Sequence, residues 1–157
     1  MRTRALQLSV GLTLALAVTV AMADDMVSFA TGGYASQLRT PEMMHKIDTN
    51  QDGMVSKGEW DAYQATLFEM IDADSSGALD SKEFTQAHRN DVVSFATGGY
   101  ANALRRPEMF AKIDADHDGQ VTREEFVVYH AKLFEMMDTG QTHMLGQNEF
   151  FGRGPAR

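Results

Sequence analysis

The chain of 157 residues contains no cysteine. Disulfide staples and attachment through a lipidated cysteine are both excluded, so any cross-linking of the fold must come from something other than sulfur. Positive charge is also short. Lys and Arg number 14 against 22 Asp and Glu, for a net charge of −8. Long apolar runs are almost missing as well. The one that exists, Ala5 to Val20, is broken only by Gln7, Ser9, Gly11, Thr13 and Thr19. It follows Arg2 and Arg4 and precedes Ala21-Met22-Ala23, which has the small-x-small form of a cleavage site. This is the make-up of a secretory signal peptide over residues 1–23. The run is short for a membrane anchor, which needs about 20 strongly apolar residues. The expectation is an exported chain, periplasmic or secreted, cleaved after Ala23 and soluble thereafter, with no membrane insertion of the mature part.

The mature chain, Asp24–Arg157, is long enough for one compact domain or two small ones. With Arg2 and Arg4 gone, the net charge of −8 becomes −10. Such a balance argues against nucleic acid and anionic membrane surfaces as partners and suits a cation binder. Catalytic patterns are missing too. His45, His88, His117, His130 and His143 are scattered, with no H-E-x-x-H, and are expected at the surface or as caps. The Gly-Gly pairs lack the Lys-Ser/Thr of a phosphate loop, and no G-x-S-x-G occurs. The reading is a binding protein and not an enzyme.

What is present is a repeat. Ser28-Phe-Ala-Thr-Gly-Gly-Tyr-Ala35 recurs unchanged as Ser94–Ala101. At the same offset Pro41-Glu42-Met43 meets Pro107-Glu108-Met109, and Leu67-Phe68-Glu69-Met70 meets Leu133-Phe134-Glu135-Met136. Within this frame lie acidic stretches of one form. Asp114–Glu125 reads D-A-D-H-D-G-Q-V-T-R-E-E, Asp48–Glu59 reads D-T-N-Q-D-G-M-V-S-K-G-E, and Asp72–Glu83 reads D-A-D-S-S-G-A-L-D-S-K-E. Acids or Asn alternate at the first, third and fifth positions, Gly stands sixth, an apolar residue (Val55, Leu79, Val121) eighth and Glu last. Ser76 relaxes the fifth position of the 72–83 stretch, where Asp80 adds a later carboxylate.

These stretches match the loop D-x-[DN]-x-[DN]-G-x5-E, and the chain resembles the EF-hand superfamily, calmodulin-like, especially small exported bacterial EF-hand proteins, over residues from about 26 to 151. A hard cation such as Ca2+ takes six to eight oxygens, and the resemblance implies which supply them. In loop one they are Asp48, Asn50, Asp52, the Met54 carbonyl, Ser56 and Glu59; in loop two Asp72, Asp74, Ser76, the Ala78 carbonyl, Asp80 and Glu83; in loop three Asp114, Asp116, Asp118, the Gln120 carbonyl, Thr122 and Glu125. The fourth stretch, Asp138–Glu149, keeps Asp138, Leu145 and Glu149, but Gly140 removes a ligand and His143 stands where Gly is needed. It is expected to hold the fold and to bind calcium weakly or not at all. About three calcium ions per chain follow.

The fold class implied is all-α: a duplicated pair of EF-hands, four helix–loop–helix units with the fourth degenerate. The first pair spans 24–91 and the second 92–151, with a disordered tail at 152–157. Only the short stretch Trp60–Ile71 separates loops one and two, with no Gly or Pro; Phe126–Met137 repeats the arrangement. One helix must then serve both loops of a repeat, which holds them at opposite ends and favours pairing across the repeats. Thr40 is placed to cap the helix beginning at Pro41, and Pro107 opens its counterpart. Met43, Met44, Ile47, Met109, Phe110 and Ile113 fall on one face, and Trp60, Phe84, Phe126 and Phe150 follow the loop-ending Glu residues as core. Gly32-Gly33 and Gly98-Gly99 end a helix, with Phe29, Tyr34, Phe95 and Tyr100 packed beside the bend. Two functions stay open. One is calcium binding that stabilises the protein or buffers the ion. The other is a sensor whose methionines (Met43, Met44, Met70, Met109, Met136 and Met137) form an apolar groove for an unidentified envelope protein.

Overall fold

Helices start where the sequence supplies a cap. Thr40 accepts the Met43 amide (3.1 Å) and opens α2, Pro41–Ile47, whose first residue is a proline that loses no hydrogen bond there. Ser56 and Thr122 do the same for the two long helices. In each, the side-chain oxygen accepts from the amide of Glu59 or Glu125, and that Glu returns a bond to the cap amide. Such a box satisfies amides that a helix start otherwise leaves bare.

The computed structural model describes residues 26–85, 97 and 99–152. The expected leader, Phe95, His88 and all but the first residue of the expected tail lie outside them. Residues 26–30 are helical. There follow α1 Ala35–Leu38, α2, β1 Val55–Ser56, α3 Lys57–Ile71, β2 Ala78–Asp80 and α4 Ser81–Thr85. After the second bend come α5 Tyr100–Leu104, α6 Pro107–Ile113, β3 Gln120–Thr122, α7 Arg123–Met137, β4 Met144–Leu145 and α8 Gln147–Phe150. The protein is mostly helical, with two two-stranded antiparallel sheets that an all-α description leaves out. None of the described helices is long and apolar enough to cross a membrane.

The sheets join strands from different repeats. β1 pairs with β4, Val55 opposite Leu145, and β2 pairs with β3, Leu79 opposite Val121. The Lys57 amide extends the first ladder to the His143 carbonyl at 3.0 Å. Loop one therefore sits beside loop four, and loop two beside loop three. The cause is the short spacing within each repeat: α3 and α7 run unbroken for 15 residues each, so the loops at their two ends are about 20 Å apart.

Of all the elements, α3 and α7 pack most extensively on each other. Trp60 meets Phe134 edge to face at 5.8 Å, and Phe68 meets Phe126 at 5.6 Å. These two contacts are the same contact seen from either repeat, so the sequence repeat becomes a pseudo-two-fold relation about the crossing. Tyr34 and Tyr100, which are repeat equivalents of each other, touch with ring centroids 5.4 Å apart. Trp60, Phe84, Phe126 and Phe150 are all fully buried, and the apolar faces of α2 and α6 are buried with them.

The bend of the octapeptide is structural. Gly32 and Gly33 have φ of 55° and 89°, and Gly99 has 87°, values that cost a side-chain-bearing residue strain. Buried Thr31 and Thr97 accept the amides of Ala35 and Ala101 and lead into the next helix. Two expectations fail here. Phe29 does not pack inside the bend but is 83% exposed, with Lys112 Nζ over its ring at 5.2 Å. His130 is not at the surface but fully buried, because it lies on the inner face of α7 at the crossing; of the others, His45, His117 and His143 are exposed or only partly covered. Among the methionines, Met43, Met44, Met109 and Met137 fill the core, while Met70 is 43% exposed.

Gln64, fully buried mid-way along α3, tests the shared helix. Gln64→Pro is expected to cost about 3 kcal/mol or more, since it removes a helix bond and clashes with the preceding turn. Because α3 reaches both sheets, thermal melts should fall and the loops at both ends should loosen together in amide exchange. Exchange confined to one end would show that the helix does not transmit.

Candidate metal centres

Four loops share one internal wiring. In each, the first Asp accepts the amide of the sixth residue: Asp48 from Gly53 (2.9 Å), Asp72 from Gly77 (3.0 Å), Asp114 from Gly119 (3.1 Å) and Asp138 from His143 (2.8 Å). In each, the last Glu accepts through one oxygen from the third residue, namely Asn50, Asp74, Asp116 or Gly140, at 2.9–3.4 Å. Its other oxygen accepts the amide of Ser56, Asp80, Thr122 or Gly146 at 2.8–3.3 Å. Both ends of each loop are thus pinned by carboxylates.

The sixth residue must turn left-handed. Gly53, Gly77 and Gly119 do so at φ of 83°, 84° and 86°. His143 is held at 59° in the fourth loop, a conformation disfavoured for a side-chain-bearing residue. The fourth position, which the sequence did not single out, is left-handed as well: Gln51, Ser75, His117 and Gln141 have φ between 53° and 61°. Little in the composition of that position marks it, since two Gln and a Ser stand there with one His, and Gln and Ser do not favour positive φ as Gly and Asn do.

Carboxylates converge in two loops. In loop two, oxygens of Asp72, Asp74 and Glu83 lie within 4.8 Å of one another; in loop three, those of Asp114, Asp116 and Asp118 do. Like charges this close repel unless a cation sits among them. Loop three adds a sharper sign. Asp114 is buried and its Oδ1 has no hydrogen-bond partner. The equivalent oxygens of Asp48, Asp72 and Asp138 each take the amide of the fifth residue, but the Asp118 amide goes to Asp116 Oδ1 at 3.2 Å. A buried carboxylate oxygen without a donor is costly, and a hard cation is what this donor set fits.

The remaining expected ligands are placed as follows. In loop one, Asn50 Nδ2 donates to Asp52 Oδ2 at 3.1 Å, so the amide stands where loop three has a third acid. The hydroxyls of Ser56 and Thr122 serve the capping boxes and donate to Glu59 and Glu125 at 2.7 and 2.8 Å. Asp80 holds the same capping place, its Oδ1 accepting the Glu83 amide at 2.7 Å. The Ser76 hydroxyl donates to the Ala78 carbonyl at 2.8 Å. Met54 and Gln120 occupy the seventh loop position, with their amides bonded to Asp52 and Asp118.

The acids are held in the charged form that a cation needs. The bonds from Ser56, then those from Asn50 and Thr49, bring Glu59 down to about 2, against slight burial. Burial alone would raise Glu125, but donors on Thr122, Ala115 and Asp116 outweigh it and keep it below the usual carboxylate range. Ser76 lowers Asp74 in the same way. A residue that loop spacing does not reveal is Arg105, buried between α5 and α6. It donates to the Phe84 and Glu83 carbonyls at 2.9 Å each and so ties the end of loop two to the other repeat.

Comparison with known proteins agrees with this geometry. The family model described as an EF-hand domain pair matches residues 61–129, which hold loops two and three, the pair joined by β2 and β3. A second, described as an EF hand, matches residues 42–62, which hold loop one. An uncharacterized calcium-binding protein of Caenorhabditis elegans is 27% identical over 75% of this chain and 62% of its own length. A calcium and calcium/calmodulin-dependent serine/threonine-protein kinase of Oryza sativa subsp. japonica is 30% identical over 55% of the chain. Calcium-dependent protein kinase 9 of the same plant is 29% identical over 59%. The matched region spans only 19% and 18% of those kinases, so their likeness is partial and confined to it. No solved structure matches the chain. The chain contains EF-hand domains, and calcium binding through them is the activity these likenesses support.

His143→Gly probes the strain in the fourth loop. Removing a side chain at φ 59° should relieve about 1 kcal/mol and raise the melting temperature by a few degrees. An unchanged or lower melting temperature would mean that the His143 side chain contributes more than its backbone costs.

Proposed function

We propose that the protein is exported, binds three calcium ions through loops one, two and three, and is stabilised by them or buffers them, with no catalytic role. The observation that carries this reading is the convergence of three carboxylates in loop three around the buried, unpartnered Asp114 Oδ1. The residues that would hold the ions are Asp48, Asn50, Asp52, Met54, Ser56 and Glu59; Asp72, Asp74, Ser76, Ala78, Asp80 and Glu83; and Asp114, Asp116, Asp118, Gln120, Thr122 and Glu125. The layout is a duplicated pair of EF-hands in which loop four, lacking a side chain at Gly140 and strained at His143, acts as the sheet partner of loop one. Calcium supplies positive charge where the loops concentrate negative charge. The chain supplies backbone amides that aim the acids and sheets that couple the loops in pairs.

The exported character rests on residues 1–23, with cleavage after Ala23. Mass spectrometry of the protein recovered from the producing cell's envelope or medium should give Asp24 as the first residue. An intact Met1 on soluble protein would refute export.

A second reading keeps the sensor. Of the methionines expected to form its groove, Met43, Met44, Met109 and Met137 are buried in the core, and only Met136 lines a groove of about 500 Å³, with Met26, Phe29, Ala30, Lys112 and Tyr129. In this reading an envelope protein docks on it when calcium loads the loops. Dye binding to apolar surface separates the two: a rise on adding calcium favours the sensor, no rise favours the stabilised or buffering protein.

Calorimetry is expected to count three calcium ions, and Glu125→Gln to remove or greatly weaken one. Four strong sites would refute the reading of loop four. Chelator should lower the melting point sharply. A site at a hundredfold above its dissociation constant contributes about 2.7 kcal/mol, so three contribute roughly 8, comparable with the whole stability of a small domain. A melt that barely moves with chelator would defeat the stabilising role.

A further inference from the structure

His130 and Gln64 stand at equivalent places in the two repeats, and both are fully buried where α3 and α7 cross. Both ring nitrogens of His130 and its carbonyl are engaged. The carbonyl accepts the Trp60 indole N–H at 2.9 Å. Nδ1 lies 2.8 Å from the Phe126 carbonyl, and Nε2 3.1 Å from the Tyr100 hydroxyl. A carbonyl only accepts, so Nδ1 carries the proton, and Nε2 accepts from Tyr100. The ring also stacks on Phe126 at 4.3 Å and against Tyr129 at 5.1 Å. One residue thereby ties α3, through Trp60, and α5, through Tyr100, to α7.

This arrangement holds only for neutral imidazole. A proton on Nε2 would turn the Tyr100 contact from acceptance into donation and would place a positive charge in the core. The titratable groups that touch the ring are phenols, Tyr100 from α5 and Tyr129 from α7 itself, and next to Tyr100 stand Tyr34 from the bend before α1 and Tyr63 from α3. The charged side chains of α3 are occupied elsewhere, Lys57 with Asp61, Glu59 with Thr49, Asn50 and Ser56, and Glu69 with Arg123, and Lys112 of α6 bonds the Phe29 and Ala30 carbonyls. Among the described residues no carboxylate is hydrogen-bonded to the ring to balance the charge. Burial, slightly offset by the Phe126 carbonyl, lowers the pKa of His130 to about 4 from an ordinary 6.5.

We propose that His130 is a pH-operated latch: neutral, it locks the crossing of α3 and α7, and protonated, it releases that crossing and with it calcium from both pairs of loops. The release reaches all loops because α3 joins loop one to loop two and α7 joins loop three to loop four. The calcium part rests on the function proposed above. The folded value lies below the unfolded one, so the stabilising effect of neutral His130 is complete above pH 6.5 and fades as pH falls towards 4. Each pH unit in that window favours the released state by about tenfold.

The test compares purified wild type with His130→Gln, the residue the other repeat carries at the same place, in calcium titrations at pH 7.5 and 5.0. Protonation of loop carboxylates affects both proteins equally and cancels in the comparison. On going to pH 5.0 the released state gains about thirtyfold in wild type, one and a half pH units at tenfold each, and the calcium midpoint of wild type should rise by up to that factor more than that of the variant. Equal shifts would overturn the latch. Wild type that takes up no calcium at pH 7.5 would sink the calcium reading instead. The latch would then be judged in chelator, where wild type must still lose more melting temperature than the variant between pH 7.5 and 5.0. Should His130→Gln fail to fold, NMR of the wild-type His130 ring decides. Titration near 6.5 within an intact fold, or loss of the folded signals before the ring protonates, overturns the proposal, and loss of the folded signals together with protonation of the ring supports it.

Discussion

The edge-to-face packing of Trp60 on Phe134 and of Phe68 on Phe126 is the contact on which the rest of the structure depends. It fixes the crossing of two 15-residue helices, and each helix carries a loop at either end. Once the crossing is set, the placement of all four loops follows, because neither helix has a Gly or Pro beyond its first turn at which it could bend. The core grows outward from it: α2 and α6 lay Met43, Ile47, Met109 and Ile113 against it, and the aromatic residues after each loop close the ends. The two sheets are too short to hold anything by themselves. Their part is register, keeping Val55 by Leu145 and Leu79 by Val121 so that neighbouring loops share a backbone.

Electrostatics works against this core. The acids of the loops are gathered at both ends of the crossed helices, and backbone amides hold them in place. The chain pays for its cation preference in self-repulsion, with no disulfide to offset it. A fold of this kind is strong at the centre and conditional at its ends. Loop four departs furthest from the pattern: His143 forgoes glycine's freedom and Gly140 has no side chain, yet Asp138 and Glu149 keep the wiring intact. The wiring therefore does not require glycine at the sixth position, and it still presents β4 to β1.

Much of this was legible in the residues. Loop boundaries, the capping Thr40, the core aromatics and the unbroken α3 and α7 all follow from spacing and from where Gly and Pro are absent. Pairing across the repeats and not within them was favoured by the stretch Trp60–Ile71, too short to hold two helices and a turn, while which loop joins which came from the strands. What was not legible depended on the crossing itself. His130 looks like any scattered histidine until α3 and α7 are laid across each other, and Phe29 reads as core by type but lies under Lys112 on the surface. The left-handed fourth loop position is set by carboxylates closing the loop from both ends, not by the residue that occupies it. Arg105 reaches Phe84 across a sequence separation of 21, beyond any local pattern.

The strand pairing also bears on how such a chain divides. Each sheet takes one strand from either repeat, so a single repeat owns two half-sheets and completes neither. Cut between the repeats, the chain would yield fragments that are each other's missing part, and they should reassemble as complements rather than stand as separate domains. Two copies of one repeat, related by a true two-fold axis, could close the same sheets in the same way, with Tyr34 meeting its own copy as it now meets Tyr100. In topology, then, the monomer is a symmetric dimer whose subunits share one chain, and sequence divergence between the halves has been free to make one side of the axis a glutamine and the other a histidine.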